Sequence, residues 1–296
     1  MDKSKKSFYI SWGVNLSILI ISIVLSATGF IGYGSTLFCS LPIAIGITTG
    51  ILPDKKWAIL GGMLAMIIFL TLLIMGHIEG FICVLMAVPI IAVLLFTGYL
   101  MAYIINKVTK KRTDKFTISF FIPSLLFFVS CGLEYFAGDS SIKSEVTNSI
   151  IIADSPSEVY RKIINVDTVN VEKSVYQKLG LPTPRKCILT EEKIGGQRIC
   201  QFEEGVIIEI IKDFKKNKFL KMKITKSDML GFKWLSFDED IYIIEKIGAK
   251  TKITRTTTYY SDLKPRFYWQ AIENLTISSE QDFVFRNLRK DLSKND

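Results

Sequence analysis

Five runs of apolar residues occupy the N-terminal half of the chain, at 8–30, 35–52, 58–75, 81–105 and 116–133, and none contains Asp, Glu, Lys, Arg or His. A helix rising ~1.5 Å per residue crosses ~30 Å of hydrocarbon with ~17–25 residues. The pattern therefore predicts about five membrane spans. The second run is short and carries Pro42, Gly46 and Gly50, breaks that neighbouring helices can repair. The first run is too long for the apolar core of a cleavable signal, and more spans follow it directly. It reads as an uncleaved anchor.

Beyond position 140 the pattern changes. The β-branched run 146–153 suits a strand. Ser155-Pro156-Ser157-Glu158 carries a cap, a first-turn proline and a capping-box acid, and Val159, Ile163 and Ile164 follow at helical spacing. A second short helical piece is expected at 171–178, before Pro182 and Pro184 break the chain. Strands at 186–192 and 197–203 flank Gly195-Gly196, which reads as a hairpin turn. Further strands are expected at 206–212, 219–225, 241–245 and 251–260. The segment 265–292 reads as one long helix, with Tyr268, Ile272, Leu275, Ser279 and Phe283 recurring on one face.

These elements divide the chain into a transmembrane helical domain at 1–138, a polar linker at 139–145 and an α+β domain at 146–296. A long amphipathic helix needs a sheet to cover. A curved antiparallel sheet wrapped on that helix leaves a cavity between the two.

Composition sharpens this division. The 296 residues are 49% hydrophobic and 22% charged, with mean hydropathy +0.32 and net charge +9. Residues 1–140 hold only 10 Lys/Arg and 6 Asp/Glu. A single soluble globule, a disordered chain and a disulfide-dense miniprotein are excluded. Lys3, Lys5 and Lys6 precede the first run, Lys55 and Lys56 follow the second, and Lys107, Lys110, Lys111, Arg112 and Lys115 follow the fourth. Basic residues in alternate segments predict a cytoplasmic N-terminus. Five spans then place the C-terminal domain outside the cell membrane, whereas four place it in the cytoplasm. No ionisable group lies within a run, so no transport path is expected. His77 and Glu79 are expected in an outer loop, and Glu134 at a solvated end of the fifth span. Gly61, Gly62 and Ala65 suit close helix packing.

The chain has no His after position 77, which removes Ser-His and Cys-His dyads from the C-terminal domain. Cys187 and Cys200 alone are too few for zinc, so neither metal nor cofactor is expected. A turn centred on Gly195-Gly196 aligns Cys187 with Glu204 and Cys200 with Glu191, which disfavours a disulfide. If Ile253 points inward, alternation carries Arg255, Thr257 and Tyr259 with it. Glu209 lies between Ile207 and Ile211 and faces the same way. An Arg255–Glu209 polar anchor inside an apolar cavity follows, lined further by Tyr268, Ile272 and Phe283. Trp234 and Trp269 suit the cavity mouth or the bilayer surface. The lysines at 212, 215, 216, 218, 221 and 223 alternate in part with Leu220, Met222 and Ile224. They read as a solvated outer face rather than a nucleic-acid surface.

The strand with Ser155-Pro156-Ser157-Glu158-Val159-Tyr160, the Gly196-Gln197-Arg198 to Phe202 and Gly205 to Glu209 pattern, and Thr256–Tyr260 leading into Asp262-Leu263-Lys264-Pro265 resemble the SRPBCC superfamily. This is the START-like or helix-grip group that includes polyketide cyclase/dehydrase-like proteins. Tyr268-Trp269, Glu273-Asn274-Leu275 and Val284 to Asn287-Leu288 fit the same pattern. The resemblance covers roughly 146–292. It implies a helix-grip fold whose cavity holds a hydrophobic or amphipathic molecule, and only some members are enzymes. This chain departs in having no His in the domain and in carrying a multi-span anchor. The expected function is a membrane-anchored module that binds a lipid or other hydrophobic small molecule, with the bilayer as its other partner. One alternative is a cyclase or dehydratase using Tyr, Glu and Arg as acid and base. The other is a non-catalytic interaction or stress-response scaffold whose cavity is filled by its own side chains.

Overall fold

A computed structural model describes residues 3–108, 115–138, 141–229, 231–232 and 234–293. Lys110, Lys111 and Arg112, which enter the charge argument for orientation, lie outside the described residues. The chain forms two compact units, one of residues 1–79, 83–140 and 262–269, the other of 80–82, 141–261 and 270–296.

The first unit is helical. It contains α1 (Lys3–Ala27), a π-helical turn (Thr36–Ser40) running into α2 (Leu41–Ile51), α3 (Lys55–Met75), α4 (Phe81–Val108) and α5 (Lys115–Ala137). Four of these helices are long and apolar enough to cross a membrane, and the Thr36–Ile51 stretch is shorter. At ~1.5 Å per residue it is about 24 Å long. It stops because Leu52 precedes Pro53 and turns to extended backbone, ψ 147°.

The unit is built inside out. On α1 the side chains of Ser7, Ser11, Asn15 and Ser22 are 0% exposed, while Val24, Met63, Ile67 and Val93 are more than half exposed. Ser11 Oγ donates to the Ala58 carbonyl at 2.7 Å. Small residues let the backbones meet. A Cβ on Gly61 would lie 2.5 Å from the Phe8 carbonyl oxygen, and one on Gly46 2.2 Å from that of Leu95. Polar and small residues inside with large apolar residues outside is the arrangement that a hydrocarbon solvent selects. Glu134 is not a solvated end residue. It is half-buried and accepts the Thr36 backbone N–H at 2.7 Å, capping the π-helical turn.

The second unit holds a seven-stranded antiparallel sheet: β1 (Ile142–Ile152), β2 (Pro184–Leu189), β3 (Gln197–Phe202), β4 (Gly205–Lys215), β5 (Phe219–Met229), β6 (Leu235–Ile247) and β7 (Lys250–Ser261). The strand order is β1-β7-β6-β5-β4-β3-β2. The first strand thus pairs with the last, and every other pair is a sequential neighbour. Strand β1 begins inside the segment expected as a linker, because its first residues pair with Ser261 and Tyr260 of β7. Two short helices, α6 (Pro156–Ile164) and α7 (Val175–Lys178), join β1 to β2. Ser155 caps α6 by accepting the Glu158 N–H.

The long helix α8 (Arg266–Leu292) packs on the sheet. Its covered face is Glu273, Ile277, Gln281, Leu288 and Leu292, not the face carrying Leu275, which is 45% exposed. An apolar periodicity misses this face because two of its members are polar. Glu273 accepts from Tyr259 Oη and from Ser261 Oγ, and Gln281 Nε2 donates to Thr257 Oγ1 at 2.8 Å. The core beside it gathers Val159, Ile163, Ile211, Leu220, Ile253 and Phe285. A curled antiparallel sheet gripping one C-terminal helix is the helix-grip fold.

Candidate ligand cavity

The strands of a curled sheet cannot all touch the gripped helix, and a cavity remains between them. The space open to the centre of a water molecule is about 90 Å³, several times the ~10–15 Å³ that one water needs. Its walls are mainly apolar: Ile207 and Ile224 from the sheet, Leu181 and Pro182 from the segment before β2, Trp234 from the turn before β6, and Ile277 from α8. The cavity is open space, not filled by its own side chains.

Polar groups enter this wall at fixed register positions. Arg198 and Glu209 are direct partners across β3 and β4. Arg198 Nη1 donates to Glu209 Oε2 at 2.7 Å, and its Nε and Nη2 donate to the carbonyls of Ile164 and Ile163 at 3.2 and 3.0 Å. Both side chains are about 95% buried. Arg255 of β7 donates from Nε and Nη2 to Asp240 Oδ2 of β6, at 3.2 and 2.7 Å, and from Nη1 to Glu280 of α8 at 3.0 Å. Its guanidinium also lies over the Tyr242 ring, 5.5 Å from the centroid. The Thr257 hydroxyl donates to Asp240 Oδ1 at 2.5 Å.

Arg255 and Glu209 therefore both face the cavity but do not pair with each other. Each finds its counter-charge on the adjacent strand, where register delivers it at hydrogen-bond distance. Arg198 and Asp240 were absent from the sequence-derived set. Strand alternation could have found Arg198, since Cys200 two residues on is also buried. Asp240 is obscured by the acid run 238–240. A bulge between Phe237 and Glu239 breaks the alternation there. It leaves Asp238 bound to Lys143 and Lys223, and Glu239 to Lys221, while Phe237 and Asp240 both line the cavity.

Thr257 also lines the cavity. The remaining expected residues are not among the described lining. Tyr259 is fully buried and donates to Glu273 at 3.0 Å. Tyr268 falls in the segment 262–269 that packs with the helical unit. Ile272 is half-buried on α8, and Phe283 is buried away from the cavity. Trp234 lines the cavity and Trp269 is buried.

Cys187 and Cys200 both line the cavity and form a disulfide. This corrects the expected register. The hairpin does not turn on Gly195-Gly196 alone. Its loop runs through residues 190–196, so Leu189 pairs with Arg198 and Cys187 with Cys200. Gly195 takes φ 86°, and a Cβ on Gly196 would lie 2.0 Å from the Glu191 carbonyl oxygen. The glycines therefore close the end of a longer loop.

Burial dominates the electrostatics. It pushes the Glu280 carboxyl above its ordinary value, against the pull of Arg255. It also raises Glu209, against the pull of Arg198. Burial works against a charged Arg255, but Asp240 and then Glu280 more than offset it, so its pKa lies well above the ordinary value. The Tyr242 hydroxyl is raised by burial and stays neutral. Among the described residues no group of three or more His, Cys, Asp or Glu is arranged to hold a metal. The chemistry on offer is apolar contact plus a fixed set of ion-paired acids and bases.

No protein-family model matches the sequence, and no curated protein matches it. Solved structures do resemble the C-terminal half. A START superfamily protein from Mycobacterium smegmatis is 12% identical, with 51% of this chain and 99% of that one covered at a TM-score of 0.37. Norcoclaurine synthase from Thalictrum flavum, in complex with dopamine and hydroxybenzaldehyde, is 14% identical, with 53% and 90% covered at 0.36. A protein of unknown function from Staphylococcus aureus is 13% identical, with 53% and 99% covered at 0.36. At these identities the likeness concerns fold alone.

Proposed function

We propose that the protein is a membrane-anchored binding module whose helix-grip cavity holds a hydrophobic or amphipathic small molecule. The observation that carries this reading is the cavity itself: open space, apolar walls and a few buried polar groups held in place by their own partners. Ligand sites commonly combine these features. The reading assigns residues 1–138 to the anchor and 146–296 to the binding domain. Glu209, Arg255 and Thr257 act as polar wall groups. Tyr259, Ile272 and Phe283 lie outside that wall, and Tyr268 belongs to the helical unit.

We further propose that the N-terminus is cytoplasmic and the binding domain extracytoplasmic, with the Thr36–Ile51 stretch as a short fifth span. The basic residues Lys3, Lys5, Lys6, Lys55 and Lys56 favour this orientation. The Cys187–Cys200 disulfide suits an oxidising compartment.

Native mass spectrometry of the full chain, released from detergent, tests the binding reading. Wild-type protein is expected to retain an apolar small molecule. Ile207→Trp, which fills the cavity from β4, is expected to lose it. A bare mass for wild type, with no displaceable uptake of the neutral fluorophore N-phenyl-1-naphthylamine, overturns the reading.

A further inference from the structure

Among the described residues, five charged side chains line the cavity: Arg198, Glu209, Asp240, Arg255 and Glu280. Three are acids and two are bases. Arg198 and Glu209 form one closed pair, since the other donating nitrogens of Arg198 point at backbone carbonyls. Asp240 takes two N–H groups of Arg255 and the hydroxyl of Thr257. Glu280 meets only Nη1 of that same Arg255, at 3.0 and 3.3 Å. Asp240 already balances the charge of Arg255, so Glu280 is the surplus acid. Its side chain is also the most accessible of the five, 19% exposed against 1–10% for the others.

A surplus charge in an apolar wall is costly unless something neutralises it. A proton does so, and so does a bound cation. An anionic headgroup, by contrast, finds both guanidiniums already occupied by carboxylates. Resting on the binding-module reading, we propose that the cavity takes an amphipathic cation, an apolar body ending in a protonated amine, with the amine held against Glu280. Among the described residues, the groups that share the cavity wall with Glu280 are Arg255 on β7, Asp240 and Tyr242 on β6, Glu209 on β4, Arg198 on β3 and Thr276 on α8 itself. None of these adds a free positive charge that would repel the amine. Acidification protonates Glu280 and abolishes the preference, because the amine remains charged while its partner does not.

The full chain in nanodiscs of neutral lipid is titrated at pH 8 with hexylamine, hexanol and hexanoate, each displacing N-phenyl-1-naphthylamine. Ile207→Trp serves as the blank. Hexylamine is expected to bind about tenfold more tightly than hexanol, the scale of one charge-assisted hydrogen bond, and hexanoate most weakly. Glu280→Gln is expected to reduce hexylamine to the level of hexanol. Unchanged hexanol binding shows that this variant is folded. Lowering the pH stepwise from 8 is expected to shrink the amine preference in wild type only. Hexanol or hexanoate binding as tightly as hexylamine overturns the inference, as does an amine preference that survives Glu280→Gln, and the binding-module reading then stands. Failure of all three probes to displace the fluorophore from wild type relative to Ile207→Trp overturns both.

Discussion

Arg198 and Glu209 sit opposite each other across β3 and β4, with their charged ends buried and 2.7 Å apart. Removing one member of such a pair leaves the other charge without compensation, whereas replacing both with apolar groups is often neutral. Arg198→Ala is expected to destabilise the C-terminal domain by about 3–5 kcal/mol. Arg198→Met combined with Glu209→Leu is expected to recover most of that loss. Denaturant titration of the full chain, followed by tryptophan fluorescence, checks both. Glu280 behaves differently because it is the acid in excess. Its folded pKa is raised from 4.5. Below the unfolded pKa both states hold the proton and the residue contributes nothing. As pH rises, the unfolded chain loses its proton first, so stability falls between 4.5 and the folded value. Glu280→Gln is expected to flatten this fall and to be no less stable than wild type at neutral pH. A melting-temperature series from pH 4 to 8 decides, and a steeper fall in the variant contradicts the assignment.

At the scale of elements, the β2–β3 hairpin shows how loop length sets chemistry. Residues 190–196 form the connection, and that length brings Cys187 opposite Cys200. A two-residue turn at the glycine pair shifts the register and separates them. The disulfide closes a loop with a sequence separation of 13. Chain entropy for a loop near that size corresponds to about 3 kcal/mol. Cys187→Ala with Cys200→Ala is therefore expected to lower stability by about 2–4 kcal/mol, read by denaturant titration with and without reductant. Reductant is expected to change wild type and leave the double variant unaffected. Helix α8 carries a related lesson. Its sheet-facing side was misplaced by an apolar reading because Glu273 and Gln281 occupy core positions and are satisfied there by Tyr259, Ser261 and Thr257. A polar residue whose partner lies 12 to 24 positions earlier, on β7, looks in one dimension like a surface residue.

At the scale of the whole molecule, the number of spans decides which side of the membrane holds the C-terminal domain. Among the described residues four helices are long enough to span, and whether the Thr36–Ile51 stretch also crosses decides the outcome. Nearly every residue of α2 is buried within the helical unit, as expected of a segment enclosed by longer neighbours. Protease added to intact cells is expected to remove the C-terminal domain, with Cys187 and Cys200 unreactive to maleimide until reduced. A domain protected until the membrane is broken places it in the cytoplasm and makes the stretch re-entrant.

The division into a helical half built of charge-free runs and a strand-rich half closed by one helix was legible in the sequence. It depends on run length and periodicity, which are properties of neighbours along the chain. The inward alternation of β7 was legible for the same reason: residues 251, 253, 255, 257, 259 and 261 are all buried. The partners of those residues were not. Arg255 meets Asp240 rather than Glu209 because a bulge in β6 resets which acids turn inward. Cys187 meets Cys200 because a loop is longer than its glycine pair suggests. Pairing is a matter of register and of distance across strands, and a single shifted residue exchanges one neighbour for another. Only the tertiary structure decides which charges neutralise each other, and hence which one is left over to meet a ligand.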